Sequence, residues 1–264
     1  MRLFQNFVTA TLLVAIAVAQ TAHAGVAFKA TTRSESPGLN FAQLANATVN
    51  GWADGDIGKI AFLGAHGDTI PEGSALITTD GGKNVRFFDS VRNICSPWTG
   101  DAVVGRSANP LELQKSVSDL EITKALDEAG PEIAGFATHH YRFTIAYTSS
   151  FSSATAEFRS KNTLVEEFWT TEELQDTALR IWLDKNTWPS GNQAADQKIS
   201  AALAAAPGVP LKRVSTLSAR SQSGRELTTT VTLEVNKIEM HDELPASTFT
   251  EPFRCIGDAT GGPN

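Results

Sequence analysis

The sequence predicts a mainly β protein of the α+β class, built on one antiparallel sheet with a short helical insertion. Three observations lead to this prediction. Apolar and polar side chains alternate through most of the 264 residues, as on strands that bury one face. Glycine-containing turns separate these stretches, for example Asp80-Gly81-Gly82. Residues 170–206 change to the spacing of amphipathic helices.

The first 24 residues have the pattern of a secretory signal peptide. Arg2 supplies a positive start, Phe7 to Val18 is an uncharged apolar stretch, and Ala22-His23-Ala24 fits a small-residue cleavage site. A membrane anchor is the alternative, but a bilayer-spanning helix needs about 20 apolar residues. We therefore expect a single domain of residues 25–264 in the periplasm. No cysteine near Gly25 offers a site for a lipid anchor, and no later stretch is apolar enough to span a membrane.

The overall charge limits the classes of partner. The chain is 41% hydrophobic, which suits one ordinary core, and its formal net charge is −7. Nucleic acids and anionic membrane surfaces attract basic patches instead. We therefore expect no nucleic-acid partner.

The chain has two cysteines, Cys95 and Cys255. Because an exported protein meets an oxidising compartment, we expect them to form a disulfide. Free thiols are the alternative. The two residues lack the CxxC spacing of a zinc or redox site.

The predicted strands of the first half form successive hairpins. Val26 to Thr31 alternates as an opening strand. Thr48 to Trp52 and Ile57 to Phe62 flank the turn Asp54-Gly55-Asp56, and Ser74 to Thr79 and Lys83 to Phe88 flank the turn at Asp80. This last hairpin runs towards Cys95.

Residues 113–126 permit a strand or a helix, and we favour a strand because the segments after them are strongly β. Those segments are predicted as strands at Ile133 to Thr138, His140 to Thr148, Thr155 to Arg159 and Thr163 to Trp169.

Two helices are predicted next. Thr170 and Glu173 have the spacing of a capping box, which opens a helix to about Asp184. A second helix covers Gln193 to Ala206 and ends at Pro207-Gly208. Both are short and amphipathic, so we expect them to pack as a pair across one surface of the sheet.

The chain then returns to strands at Leu211 to Ala219 and Glu226 to Met240. Apolar residues change parity between Val235 and Ile238, which predicts a β-bulge near Asn236-Lys237 and a bent strand.

Four stretches resemble one known family. They are GSALITTDGGKNVRFF from Gly73, GFATHHYRF from Gly135, GVPLKR from Gly208 and EVNKIEMHDELPASTF from Glu234. Their order and spacing resemble the exported lipoprotein-carrier-like (LolA-like) superfamily, and more closely a bacterial branch of that superfamily described as a domain of unknown function. The resemblance implies a strongly curved antiparallel sheet that forms an incomplete barrel, with helices covering its concave side. It also implies a lipid or a lipoprotein as a partner.

Candidate chemistry is sparse. His66 with Asp68, and the pair His139-His140, are the obvious metal or acid-base candidates, but no third ligand lies at zinc-like spacing. Neighbouring strand residues face opposite ways, so His139 and His140 are expected to be structural or surface residues. The carboxylate pairs Glu166-Glu167 and Glu172-Glu173 are explained by helix-dipole and solubility roles. No GxSxG or HExxH motif is present, and we expect neither an enzyme nor a cofactor or metal site.

Inward-facing apolar side chains are the candidate ligand site. The predicted ligand-binding residues are Phe62, Phe87, Phe143, Ile145, Ile181, Trp182, Leu203 and Leu233. They fit a solid core or a ligand cavity, and alanines on the second helix reduce side-chain volume there. Two functions are compatible with this pattern. One is a periplasmic protein that binds a hydrophobic ligand or lipidated partner between sheet and helices. The alternative is an envelope protein-protein interaction module with a filled core and no small ligand.

Overall fold

The first and last strands of the chain lie side by side in the middle of one large antiparallel sheet. The structure, a computed structural model, describes residues 25–36, 46–64, 70–98, 114–152, 157–174, 176–185 and 190–253. The sheet has 11 strands in the order β6-β5-β4-β3-β2-β1-β11-β10-β9-β8-β7. The ends of this order do not pair within the described residues, so the sheet is not closed there. The mainly β, antiparallel prediction is confirmed.

The strands are β1 Gly25–Glu35, β2 Ala47–Asp54, β3 Ile57–Phe62, β4 Ala75–Thr78, β5 Val85–Asp89, β6 Ile94–Pro97, β7 Gln114–Ala129, β8 His139–Ser152, β9 Glu157–Thr171, β10 Val209–Ser221 and β11 Glu226–His241. The described residues also contain α1 at Gln193–Leu203 and two 3-10 helices, Thr177–Ile181 and Ala246–Phe249. We call residues 176–185 and 190–206 the helical segment.

One face of the sheet, which we call the packed face, carries the core in two clusters. The first cluster joins strands β1 to β4 with the 3-10 helix of the helical segment, and its members include Phe28, Val49, Ile60, Phe62, Leu76, Ala178, Leu179 and Leu183. The second joins β8 and β9 with α1, and its members include Tyr141, Phe143, Ile145, Leu164, Phe168, Ile199 and Leu203. Each part of the helical segment therefore has its own apolar contact with the sheet.

Two local features affect how β1 packs and pairs with its neighbours in the middle of the sheet. A Cβ atom at Gly51 would lie 2.1 Å from Cζ of Phe28, so the Phe28 ring lies directly against the β2 backbone. On the other side of β1, Lys29 pairs with Lys237 but Ala30 pairs with Val235. Asn236 is therefore the extra residue of a β-bulge, and that prediction is confirmed.

The prediction of a first helix from Thr170 to about Asp184 is wrong. Thr170 and Thr171 end strand β9, where they pair with Pro210 and Val209. Because this pairing holds the two threonines in the sheet, no capping box forms, and the Glu173 N–H instead meets the Thr171 hydroxyl at 3.3 Å. The next element is a 3-10 helix of five residues rather than an α-helix.

Two strand predictions are corrected as well. Ile133 to Thr138 is a turn closed by the Ile133–Phe136 bridge, because two consecutive residues, Ala134 (φ 51°) and Gly135 (φ 90°), have left-handed backbones that reverse the chain. The described residues of the separate strands predicted at 155–159 and 163–169 belong to one strand, β9, which pairs with β8 from Glu157 to Thr170. The preference for a strand at 113–126 is confirmed by β7.

The C-terminal segment crosses the sheet face opposite to the packed face. Lys59 Nζ donates to the Thr250 carbonyl at 3.2 Å, and Arg86 Nη1 lies 3.3 Å from Glu251 Oε1. The Phe253 ring packs edge-on against Phe88, with centroids 5.6 Å apart. Phe253 therefore lies against the β5–β6 hairpin.

The predicted disulfide has one end in this region. Cys95, on β6, pairs directly with Phe88, and directly paired residues present their side chains on the same face. Cys255 lies outside the described residues, so the disulfide stays a prediction. The predicted signal peptide, residues 1–24, also lies outside them. Among the residues that are described, no helix combines the length and the apolar character needed to cross a bilayer.

Candidate functional site

The eight predicted ligand-binding residues divide between the two core clusters. Phe62 belongs to the first, where Phe87, Ile181, Trp182 and Leu233 pack as partly buried neighbours. Phe143, Ile145 and Leu203 belong to the second. Phe62 and Leu203 are 1% exposed and Ile145 is 0% exposed. In this conformation the most buried of these side chains contact one another and the helical segment.

Trp182 is unusual among the eight. Its ring meets Phe62 edge-on, with centroids 5.5 Å apart and an angle of 83° between the planes. Its Nε1 is buried and has no hydrogen-bond partner in the described part of the chain. A buried donor without a partner is costly, so apolar packing, which includes the contact with Phe62, holds this indole in place rather than a hydrogen bond.

A cleft of about 780 Å³ lies beside these clusters. It is bounded by the β4–β5 turn, the end of β9, the helical segment and the start of β10. Its lining residues are Gly81, Gly82, Lys83, Glu172, Leu174, Asp176, Arg180, Leu183, Asp184, Lys185, Ser200, Ala204, Ala206, Pro207, Gly208, Val209 and Pro210. None of the eight predicted residues belongs to this set.

Small residues create the space in this cleft. Ala204, Ala206, Pro207 and Gly208 line one wall just after α1. Gly208 has a φ of +78°, and a Cβ there would lie 2.4 Å from the Thr171 carbonyl oxygen, so only glycine fits. The run of alanines is visible in the sequence, but its neighbours across the cleft are not.

Charged groups also line the cleft. Lys185 is half-buried and donates a hydrogen bond to the Ala206 carbonyl, just beyond the C-terminal end of α1. Burial, and secondly the positive charge of Arg180, lower the pKa of the Lys185 ammonium below its usual value. Lys185 and Arg180 therefore lie close enough to repel each other.

The acidic residues of the cleft make contacts with the sheet. Asp176, 7% exposed, accepts a hydrogen bond from the Gly55 N–H at 2.9 Å. Asp184 Oδ1 lies 3.6 Å from Nη1 of Arg213 on β10. These two contacts attach both ends of the 3-10 helical part to the sheet.

Arg213 also contacts two buried polar residues on the packed face, Glu166 and Ser215. Its Nε lies 3.3 Å from Glu166 Oε2 and 2.9 Å from the Ser215 hydroxyl, which itself donates to Glu166 at 2.5 Å. Glu166 has no exposed surface. The surface role predicted for Glu166-Glu167 is therefore wrong for Glu166, because strand periodicity turns Glu166 inward and Glu167 outward.

The two adjacent histidines lie on opposite faces and each has ordinary partners. His139 Nε2 lies 2.5 Å from Asp127 Oδ1, and its ring stacks on Tyr141. His140 stacks on Trp169 at 4.1 Å and lies 3.1 Å from Glu167 Oε2. Within the described ranges, no group of three or more His, Cys, Asp or Glu side chains is placed to hold a metal ion. His66 and Asp68 lie outside those ranges.

Comparisons with protein-family models, with curated proteins and with solved structures find no match to this chain. The LolA-like resemblance thus remains an expectation from the sequence, and the functional argument depends on the geometry of the helical segment and its cleft.

Proposed function

We propose that the protein is a non-enzymatic periplasmic binding protein, which holds a hydrophobic ligand or the lipid part of a lipidated partner between the sheet and the helical segment. In this proposal the sheet is curved into an incomplete barrel, and the helical segment covers its concave side. The bulge at Asn236 supports curvature, because a bulge bends its strand.

One observation carries the proposal. The helical segment meets the packed face through two separate apolar clusters, and a cleft of about 780 Å³ opens beside it. That volume is within the range of ligand sites, roughly 300–1,000 Å³. A ligand entering at the cleft would reach apolar side chains as soon as the helical segment moved outward.

Movement of the helical segment is a requirement of this proposal. Phe62, Ile145 and Leu203 are almost fully buried, so they would contact a ligand only after the segment separates from the sheet. The ion pair that joins the segment to the sheet, Arg213 with Asp184, is compatible with such separation, because the Asp184 side chain is 31% exposed and a partly solvated pair contributes little.

A filled-core interaction module is the second candidate, and a specific observation favours it. The same residues are almost fully buried against one another in this conformation, and apolar side chains are exposed elsewhere. Val91 is 72% and Ile94 is 45% exposed at the β5–β6 end of the sheet. A protein partner that recognised this end would need no small ligand.

Native mass spectrometry separates the two candidates. The protein is produced with residues 1–24 present, recovered from the periplasm without detergent and sprayed intact. The binding function predicts a bound mass in the lipid range that disappears after extraction with an organic solvent. A protein of bare mass that also fails to take up added dodecanol would contradict it and favour the interaction module.

A further inference from the structure

The cleft contains two basic side chains whose binding capacity is not used up within the protein. Arg180 is exposed in the 3-10 helix, and among described residues its guanidinium makes no ion pair. Lys185, five positions later, donates one hydrogen bond to the Ala206 carbonyl. An ammonium group has three donors, so two remain.

The acidic residues of the cleft offset only part of its basic charge. Asp184 is paired with Arg213, and Asp176 accepts from the backbone of Gly55. Glu172 is exposed and makes no ion pair within the described residues. Lys83, at the β4–β5 turn, adds a third basic group to the lining. With Asp184 counted against Arg213, the three basic groups exceed the remaining two carboxylates by one charge, which favours a ligand with a low negative charge over a polyanion.

The charges and the shape of the cleft favour the same chemical class of ligand. Burial and, after it, the positive charge of Arg180 lower the pKa of Lys185, and an anion between the two basic groups would relieve their repulsion. A guanidinium binds a planar carboxylate or a phosphate through two parallel N–H groups, and an ammonium adds a point charge. The small residues around Gly208 leave room in the cleft for such a group.

We propose that the cleft binds an oxyanion, a phosphate or carboxylate group, between Arg180 and Lys185, either as a free anion or as the head group of an amphipathic ligand. The head-group form rests on the binding function proposed above, with the hydrocarbon part beneath the helical segment. The free-anion form does not.

The test compares three probes by isothermal titration calorimetry at low ionic strength: inorganic phosphate, dodecyl phosphate and dodecanol below their aggregation limits. Arg180→Gln removes one charge of the cleft. Lys198→Gln is the matched control, because Lys198 is exposed on α1 and does not line the cleft. We expect wild-type protein and K198Q to bind dodecyl phosphate about tenfold or more tighter than dodecanol. We expect R180Q to lose this preference.

The remaining outcomes distinguish a free anion from a head group, and the oxyanion site from the proposed binding function. Phosphate binding that R180Q abolishes identifies a free-anion site. If neither alkyl probe binds in that case, the oxyanion site stands and only the binding function is overturned. Equal affinities for dodecyl phosphate and dodecanol, or a preference that survives in R180Q, overturn the oxyanion site and leave the apolar ligand. Binding of none of the three overturns both.

Discussion

The Glu166 carboxylate, which has no exposed surface, accepts a hydrogen bond from the Ser215 hydroxyl at 2.5 Å across the β9–β10 pair. Arg213 contacts both residues and also reaches Asp184 of the helical segment. A polar group at this depth holds sheet and helical segment in one arrangement, provided that its members remain paired.

Ser215→Ala should lower the free energy of unfolding by about 1–3 kcal/mol, because it removes a donor from a buried carboxylate. Urea denaturation measures the change. Thr216→Ala is the control: Thr216 is half-buried, its hydroxyl bonds Thr230 at 3.2 Å, and we expect a smaller loss. Equal losses would show that the Ser215–Glu166 bond has no special weight.

Gly58→Ala should loosen the helical segment. A Cβ at Gly58 would lie 2.8 Å from the Ala178 Cβ and 3.3 Å from its carbonyl oxygen, so the 3-10 helix must shift. We expect a loss of about 1–3 kcal/mol, typical of overpacking. Gly64→Ala, where no atom of the described residues lies within 4 Å of the new Cβ, should have little effect. A stable G58A with unchanged protease sensitivity in residues 176–185 would contradict the close contact.

Replacing Cys95 and Cys255 by serine should destabilise the protein by up to about 5 kcal/mol, since the predicted disulfide closes a long loop. Glu251→Gln, which removes only the exposed pair with Arg86, should change stability by at most about 1 kcal/mol. The direct check is a thiol titration of unfolded, unreduced protein. Two reactive thiols would rule out the disulfide.

Asp80→Asn should remove a pH-dependent contribution of the Asp80 carboxylate to the stability of the β4–β5 turn. The Asn84 N–H at 2.9 Å, then the Asn84 side chain, hold the pKa of the Asp80 carboxyl below its usual value of 3.8. The folded state therefore binds this proton less tightly than the unfolded state, and the carboxylate stabilises the fold above pH 3.8. The stabilisation is lost as the pH falls through the lower folded pKa.

The corresponding measurement is the difference in urea midpoint between wild type and D80N. It should be positive at pH 5–7 and shrink steadily below pH 3.8. A difference that is constant down to pH 2 would mean that the charge of Asp80 does not stabilise the turn.

Local signals in the sequence are sufficient to predict much of the sheet. The turn at Asp80-Gly81-Gly82 joins β4 to β5 because its glycines adopt positive φ, 70° and 86°. The bulge at Asn236 is recognisable because an extra residue reverses the inside-outside alternation. Both features depend on residues that are neighbours in sequence.

Long-range pairing explains the failures. Thr170 and Glu173 have a helix-start pattern, but Val209 and Pro210 hold Thr170 and Thr171 in the sheet. The cleft escapes prediction for the same reason, because it assembles residues 81–83, 172–185 and 200–210, which no local pattern connects. The sequence places Glu166 on the surface because its partners, Arg213 and Ser215, lie on another strand.

The central claim is that a ligand binds between the sheet and the helical segment, and a reversible staple tests it most directly. In Gly58→Cys/Ala178→Cys the two Cβ atoms start about 2.8 Å apart, and a disulfide, which prefers about 3.8 Å, needs only a small shift. Binding of N-phenyl-1-naphthylamine, a dye that fluoresces in apolar surroundings, is measured before and after reduction. Reduced wild type controls for the predicted Cys95–Cys255 bond. The proposed function predicts at least about tenfold weaker dye binding in the oxidised variant, restored by reduction. Equal binding by the oxidised variant and wild type would contradict it.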